Sequence, residues 1–153
     1  MTLKTNKGVV FQIDRSDYHL VKSYKWNSTR DASGSIRLKA SIKGTITPIA
    51  RLLLNAPKGT VADHISGDTL DNRRSNLRLC TPMQNSWNRK LNKNSSSGFK
   101  GVYRKKGSPN NWVFSLRANK KHYRGFGFKN IEDAVKARAL VMEKVHGEFA
   151  RLL

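Results

Sequence analysis

An aspartate and a histidine stand side by side in this chain, at Asp63 and His64, and Asn76 and Asn85 follow 12 and 21 residues after the histidine. Carboxylate and amide oxygens are hard ligands of the kind that Mg²⁺ or Mn²⁺ prefers. A neutral imidazole, with an unperturbed pKa of about 6.5, can accept a proton from water near neutral pH. These groups together can cut a phosphodiester bond, because a divalent ion stabilises the charge at phosphorus and on the departing oxygen.

The secondary structure around these residues must bring them together. Neighbouring residues of a strand point to opposite faces, so Asp63 and His64 serve one site only if the strand bends or a helix packs across its end. A short strand–loop–strand–helix arrangement would return Asn85 to the side of Asp63. The sequence predicts a strand at 61–65, a turn-rich loop at 66–76, a strand at 77–81 and a helix that starts at Pro82 with Thr81 as its N-cap.

The charge of the chain is an argument about its partners. The 153 residues contain 30 Lys and Arg against 10 Asp and Glu, a net charge of +20. Such a charge creates a strong attractive field for polyanions. Residues 1–90 carry 16 basic and 6 acidic side chains and residues 91–153 carry 14 and 4, so each part has a net charge of +10. We therefore expect both parts to contact the polyanion.

Composition also argues against several classes of protein. The apolar runs are far too short to span a bilayer, so we expect no membrane partner. The N-terminus has no apolar core of signal-peptide length, which predicts a protein that stays in the cytoplasm. The single cysteine, Cys80, excludes an internal disulfide and a multi-cysteine zinc site. Between Leu79 and Thr81, it is predicted to be a small buried hydrophobe.

The pattern of apolar residues and turns predicts an α+β protein with two parts. Polar and small residues at 91–98 interrupt all apolar periodicity and predict a linker between a domain at 1–90 and one at 99–153. The remaining predicted elements are a strand at 9–13, a short helix at 16–24, a hairpin at 35–49 centred on Lys43-Gly44, a short apolar element at 49–54, three strands at 99–104, 112–119 and 122–128, and a helix at about 131–152 capped by Asn130.

The segment DHISGDTLDNRRSNLRLCTPMQN, residues 63–85, resembles the HNH nuclease motif, or ββα-metal finger, of phage and intron-encoded homing endonucleases. The resemblance implies that His64 is the general base and that Asp63 is the metal-ligating carboxylate. It implies that Asn76 holds the loop and orients the histidine, and that Asn85 is the second metal ligand. One Mg²⁺ or Mn²⁺ ion per chain is implied with them.

Two features of this segment leave alternatives open. Asn88 lies one helical turn beyond Asn85 and is the rival candidate for the helical ligand. Relatives often carry a His-Arg pair about where Ala50-Arg51 stands, so any role of that additional histidine is missing here. The three remaining histidines have no companion residues in the sequence that would suggest a site. They are therefore predicted to be surface or packing residues: His19, His122 and His146.

The C-terminal part resembles the plant Apetala/ethylene-response DNA-binding domain over residues 99–149. Gly101-Val102, Trp112, Gly127-Phe128 and the Glu132-Asp133-Ala134 helix start carry the resemblance. It implies that a three-stranded sheet lies in the major groove and that the helix supports it from behind. Strand parity gives the same outward face independently. The side chains predicted to contact DNA on that face are Tyr103, Lys105, Ser115, Arg117 and Arg124.

These observations favour a metal-dependent endonuclease of the homing type that nicks double-stranded DNA. We expect a monomer in solution, encoded by a phage or mobile element in a bacterial host. One metal site per chain would make one cut, so a double-strand break would need two chains. Two other functions are open: a non-catalytic DNA-binding regulator that uses the same scaffold, and an RNA-binding protein, which the charge alone permits.

Overall fold

The chain is an α+β protein, as the sequence predicts. A computed structural model describes residues 1–32, 34–87, 91, 94–108 and 110–149. Internal contacts divide the chain into two compact units, an N-terminal unit of Met1–Asn85 and a C-terminal unit of Ser86–Leu153. The predicted division into domains at 1–90 and 99–153, with a linker at 91–98, stays a prediction.

The N-terminal unit contains three small antiparallel sheets. The first pairs β1 (Thr2–Lys4) with β2 (Val10–Gln12), the second has the order β3 (Asn27–Arg30), β4 (Ile36–Ile42) and β5 (Thr45–Pro48), and the third pairs β6 (Val61–His64) with β7 (Leu77–Cys80). Its helices are α1 (Tyr18–Val21), α2 (Ile49–Leu53), the start of α3 (Pro82–Trp87) and the 3₁₀ turns Arg15–Asp17 and Arg74–Asn76.

The β4–β5 hairpin follows from two residues at its tip. Lys43 and Gly44 both have positive φ angles, 48° and 77°. Two such residues form the tight turn whose twist matches that of antiparallel strands. The predicted hairpin centred on these residues is therefore confirmed. Along β4, buried Leu38 and Ala40 alternate with more exposed neighbours, so one face of the strand packs on the core.

The core of the N-terminal unit joins the sheets to the short helices. Its fully buried members include Phe11, Ile13, Val21 and Ile49, all with at most 2% of their surface exposed. Burial of each such side chain contributes about 1.5–3 kcal/mol. Leu77, the first residue of β7, packs in the same cluster. The β6–β7 hairpin is therefore anchored to the rest of the unit at the position directly opposite His64.

The start of α3 is fixed by a capping box. The Oγ1 atom of Thr81 accepts a hydrogen bond from the Gln84 amide at 3.2 Å, and the Gln84 Oε1 atom accepts one from the Thr81 amide at 2.8 Å. These reciprocal bonds satisfy amides that a helix N-terminus leaves unpaired. Pro82 occupies the first helical position, where its missing N–H has no consequence. Both the predicted cap and the predicted start of the helix are confirmed.

The C-terminal unit is a three-stranded antiparallel sheet packed on one helix. The strands are β8 (Val102–Arg104), β9 (Trp112–Ala118) and β10 (Lys121–Phe128), in the order β10–β9–β8. The helix is α4 (Ile131–His146), and the side chain of Asn130 caps it by accepting a hydrogen bond from the Asp133 amide. Val102, Phe114 and Ala134 form the centre of the contact between sheet and helix.

Several predicted boundaries were wrong. The last helix was predicted to reach residue 152, but α4 ends at His146. Gly147 has a positive φ of 52°, which ends the helix, and a 3₁₀ turn, Gly147–Phe149, follows. Leu152 lies outside the described residues. The helix predicted at 16–24 is a 3₁₀ turn followed by one turn of α-helix. The strands β1 and β3 were not predicted, since Asn27–Arg30 is polar throughout and gives no apolar signal.

Helix α4 buries polar as well as apolar side chains. Ala134, Arg138, Met142 and His146 are buried on it. The buried His146 agrees with its prediction as a surface or packing residue, whereas a buried arginine such as Arg138 is not visible in a pattern of apolar residues. No helix in the described part of the chain is long and apolar enough to cross a lipid bilayer.

Candidate active site

The β6–β7 hairpin positions the adjacent aspartate and histidine. Asp63 lies opposite Arg78, and His64 lies opposite Leu77. The Nε and Nη2 atoms of Arg78 both lie 3.0 Å from Oδ2 of Asp63. Only 8% of the Asp63 side chain and 10% of the Arg78 side chain are exposed. Each charge thus compensates the other in a site where an unpaired charge would be strongly destabilising.

The imidazole of His64 is held by a residue of the following loop. Its Nε2 atom lies 3.0 Å from Oδ1 of Asn72, which has no exposed surface. The amide nitrogen of Asn72 donates to the Thr69 carbonyl at 3.2 Å, so its oxygen is the atom that faces the ring. An oxygen can only accept here, and the neutral imidazole therefore carries its proton on Nε2. The lone pair that can accept a proton is then on Nδ1.

The surroundings of His64 keep the ring neutral. Burial lowers the pKa of His64 below its usual value, and the positive charge of Arg37 acts in the same direction. The hydrogen bond to Asn72 and the negative charge of Asp63 oppose the shift without overcoming it. A lowered pKa means that the imidazole is deprotonated at neutral pH. His64 is therefore in the state that a general base requires.

Asn76 holds the loop that connects the two strands. Its Oδ1 atom accepts a hydrogen bond from the Ser66 amide at 2.9 Å, and its Nδ2 atom donates to the Asp71 carbonyl at 2.8 Å. Its backbone carbonyl accepts from the Ile65 amide at 2.8 Å. These bonds agree with the loop-holding role expected of Asn76. The hydrogen bond to the imidazole, however, comes from Asn72, a residue that the sequence reasoning did not single out although it lies in the GDTLDNRRSNLR string.

Asp63 and Asn85 both lie close to the thiol of Cys80. Burial raises the pKa of Cys80, the negative charge of Asp63 raises it further, and a hydrogen bond from the Asn85 backbone opposes the rise. The start of α3 thus places the backbone of Asn85 beside Cys80. A carboxylate and an amide oxygen fit a hard divalent ion, which would take its remaining ligands from water and substrate. Asn88, the rival ligand, lies outside the described residues.

Some features around the site are structural. Cys80 is buried with 5% of its surface exposed, as predicted. In the Ala50-Arg51 pair, Ala50 belongs to the core, and Arg51 donates hydrogen bonds to the carbonyls of Ala56 at 2.9 Å and Thr60 at 2.5 Å. Arg51 therefore ties α2 to the segment that leads into β6. No cluster of three or more His, Cys, Asp or Glu side chains suited to a metal ion occurs in the described part of the chain.

The outward face of the C-terminal sheet is basic. Of the side chains predicted to contact DNA there, Ser115 is half-buried, and the exposed ones are Tyr103, Lys105, Arg117 and Arg124. Lys105 follows β8 and is not part of the sheet. The opposite face of the sheet packs on the helix: Val102, Phe114, Leu116 and Ala118 are buried, and Trp112 is half-buried.

His122 joins this face as a residue that the sequence reasoning assigned only to the surface or to packing. Its Nε2 atom lies 2.7 Å from Oγ of Ser115 and accepts a hydrogen bond from Nε of Arg124 at 3.1 Å. Desolvation lowers the pKa of His122, and the charges of Arg124 and Arg117 lower it further. In its neutral form His122 therefore connects two of the predicted DNA contacts. Its place opposite Arg117 in the register could have been found from strand parity.

Comparison with known proteins agrees with this geometry. The model of the HNH endonuclease family matches residues 55–87, the segment that contains β6, the loop, β7 and α3. The chain is 36% identical over 95 residues to Protein 3.8 of Escherichia phage T7, an alignment that covers 62% of this chain and 77% of that protein. No solved structure matches the chain significantly.

A second relative extends the similarity to almost the whole chain. It is a protein of Acanthamoeba polyphaga mimivirus described as an uncharacterized HNH endonuclease, 31% identical over 154 aligned residues that cover 97% of this chain and 76% of the relative. The matched region of the family, the length of this alignment and the Asp63–His64 hairpin agree with one another. The chain belongs to the HNH endonuclease family.

Proposed function

We propose that this protein is a homing-type DNA endonuclease that nicks one strand of duplex DNA, with His64 as its general base. The observation that supports this best is the hydrogen bond between His64 and the buried Asn72, because it leaves the lone pair of the neutral imidazole on Nδ1. Membership of the HNH endonuclease family supports a nuclease over a non-catalytic DNA-binding regulator.

In the proposed reaction, Nδ1 of His64 takes a proton from a water molecule. The water oxygen forms a bond to phosphorus while the bond from phosphorus to the 3′-oxygen breaks on the opposite side. The departing oxygen takes a proton from solvent, which leaves a 3′-hydroxyl and a 5′-phosphate. Asn72 fixes the ring and Asn76 fixes the loop, so the base is oriented before substrate arrives. General-base catalysis of this kind contributes about 10²–10⁴ in rate.

HNH nucleases generally use a divalent metal ion, and the ligands proposed for it here are Asp63 and Asn85. When bound, one Mg²⁺ or Mn²⁺ per chain would supply Lewis-acid stabilisation of charge on the phosphate and the departing oxygen. Arg78 holds the Asp63 carboxylate across the hairpin, so it positions this ligand. Arg78 would also balance the negative charge of Asp63 in the free protein.

The C-terminal unit is proposed to position the nuclease on duplex DNA through the outward face of its sheet. The support is the exposure and positive charge of Arg117 and Arg124, and the exposed tyrosine at Tyr103. Arginine contacts to guanine are the commonest specific base contacts. Lys105, which follows β8, and Ser115, in the middle of β9, would contact phosphates.

One site per chain supports a nick of one strand. We propose that the free protein is a monomer. We also propose that the predicted N-terminal domain cuts the DNA and that the predicted C-terminal domain positions it. Relatives in a bacteriophage and in a giant virus support an origin in a virus or mobile element. We propose a bacterial host, in whose cytoplasm the protein acts, from the bacteriophage relative alone. The charge of +20 agrees with a nucleic acid partner of either kind, and family membership favours DNA.

Incubation with supercoiled plasmid and Mg²⁺ tests the proposal. We expect open-circular product to accumulate well before linear product, and we expect the His64→Ala protein to bind the plasmid without converting it. Binding without metal-dependent conversion by the unaltered protein would favour the non-catalytic regulator. Competition between structured RNA and duplex DNA tests the third possibility. An RNA-binding protein would be displaced from the plasmid by a lower concentration of structured RNA than of duplex DNA.

A further inference from the structure

A cleft of about 250 Å³ opens beside His64 in the N-terminal unit. Its apolar lining includes Val61 and Ala62, which are half-buried. Two cations, Arg37 and Lys39, line the same cleft. They flank the buried Leu38 along β4, which places both on the outward face of the β3–β4–β5 sheet. The cleft thus combines an apolar wall, two positive charges and the proposed general base.

The two cations are only weakly engaged by the protein. Nε of Arg37 donates to Oδ2 of Asp31 at 2.9 Å, in a pair whose side chains are 56% and 30% exposed. Such an exposed pair orients the guanidinium but stabilises the fold little. Within the described residues, neither the Nη groups of Arg37 nor the ammonium of Lys39 has an acceptor. These donors are available to a ligand that carries negative charge.

The position of Arg37 relates this charge to the chemistry. Arg37 and His64 line the same cleft, so the guanidinium lies on the side of the N-terminal unit where the imidazole would act. The chain has a net charge of +20, so the field around the cleft attracts polyanions. A guanidinium with two unused nitrogens matches the geometry of phosphate oxygens, and an ammonium binds phosphate as a point charge. The occupant that fits all of these features is a nucleic acid strand.

We propose that Arg37 and Lys39 bind the phosphates next to the scissile phosphate of the DNA strand that is cut. The apolar wall of the cleft receives the carbon face of the neighbouring deoxyribose. This inference rests on the proposed function of His64, since the cleft matters to cutting only if the imidazole acts in it. It gives the N-terminal unit its own contact with the substrate strand, separate from the face of the C-terminal sheet.

Binding of full-length protein to a short duplex at several salt concentrations tests the contact. The Arg37→Gln/Lys39→Gln variant should lower affinity, by about tenfold for each charged hydrogen bond lost, and should flatten the slope of log K against log salt by about 0.9 per phosphate. The matched control is Lys22→Gln/Lys25→Gln, which removes the same charge at exposed positions of the same unit that do not line the cleft. Equal effects of the two double variants would overturn the inference, because only the overall charge would then matter.

Duplexes with one neutral methylphosphonate beside the cut site give a second readout. The substitution should slow single-turnover nicking by wild-type protein about tenfold and should have little further effect on the Arg37→Gln protein, because both changes remove the same contact. Independent, additive effects would contradict the contact. If wild-type protein nicks in a His64-dependent manner while the cleft variants behave like the control, the cleft inference alone fails. If His64→Ala nicks like wild type, the proposed general base fails, and the binding comparison still decides whether the cleft holds DNA.

Discussion

Nε2 of His64 lies 3.0 Å from Oδ1 of Asn72, and Asn72 is completely buried. The Nδ2 atom of Asn72 donates a hydrogen bond to the Thr69 carbonyl, and the backbone N–H of Asn72 donates one to the Gln12 carbonyl at 2.8 Å. This asparagine therefore cannot turn without breaking bonds on both sides. The protein itself selects which nitrogen of the imidazole carries the proton, before any substrate is present.

The Asn72→Ala variant should cut more slowly and bind DNA normally. The ring would lose its fixed orientation while the imidazole itself is kept, so the loss should be smaller than the about 10²–10⁴-fold effect of removing the base. The unfolding free energy should fall by about 1–3 kcal/mol, because buried partners of Asn72 would be left unpaired. Single-turnover nicking checks the rate, and urea denaturation checks the unfolding free energy. The control for both measurements is Asn27→Ala, at an exposed position. A fully folded variant that cuts at the wild-type rate would exclude a positioning role.

Loss of the proposed metal ligands should change the metal requirement. Asp63→Asn keeps the size of the side chain and should abolish Mg²⁺-supported nicking, and Asp63→Ala should do the same. Both variants remove the negative charge that compensates the buried Arg78, so the unfolding free energy should fall in both. Asn85→Ala should raise the Mg²⁺ concentration needed for half-maximal rate. The measurement is the nicking rate as a function of Mg²⁺. A larger effect of Asn88→Ala than of Asn85→Ala would place the helical ligand one turn later.

The outward face of the C-terminal sheet should determine which sites are bound. Arg117→Ala should weaken binding to some sequences by about 1–3 kcal/mol while others are unaffected, if its guanidinium contacts a guanine. Lys136→Ala, an exposed cation on α4, removes the same charge from the helix instead of the sheet. Binding to a library of duplexes, with cleavage maps of both variants, makes the comparison. Identical profiles for the two variants would mean that this face does not recognise sequence.

His146 should make the stability of the C-terminal unit depend on pH. Its ring stacks on Trp87 with centroids 4.1 Å apart. Burial lowers the pKa of His146, the charges of Arg138 and Lys100 lower it further, and the Arg117 backbone opposes the shift. Below about pH 6.5 the unfolded chain takes up a proton that the folded chain does not. The unfolding free energy should therefore fall as the pH drops through this window.

The measurement is urea denaturation at pH 7.5 and pH 5.5 for wild type and for His146→Phe. The phenylalanine keeps a ring that can stack on Trp87 and removes the titrating group. We expect the variant to lose less stability on acidification than the wild type does. Equal losses in the two proteins would show that His146 does not titrate differently in the folded and unfolded chains.

Sequence reasoning was strongest where the chain makes local bonds. The Thr81 cap of α3, the Lys43-Gly44 turn and the Asn130 cap of α4 are determined by residues within a few positions of one another, and each was predicted. The strand Asn27–Arg30 was missed because its pairing with β4 depends on tertiary contacts. The 3₁₀ turn after α4 was missed because the apolar period continues past Gly147.

The candidate site shows the same division. Asp63, His64 and Asn76 were identified by their spacing, and the structure places the first two on adjacent positions of β6 and the third at the base of the loop. Asn72 was not identified, because its importance comes from a fold of the loop that puts its amide against the ring. The ion pair between Asp63 and Arg78 likewise depends on strand register, which the sequence did not determine.

The rate of nicking by His64→Ala, relative to wild type, tests the central claim most directly. Both proteins should be measured in single turnover with Mg²⁺ on the same duplex, after binding and unfolding curves have shown that affinity and fold are unchanged. The general-base assignment predicts a rate lower by about 10²–10⁴-fold with unaltered DNA affinity. A folded His64→Ala protein that nicks at the wild-type rate would contradict it.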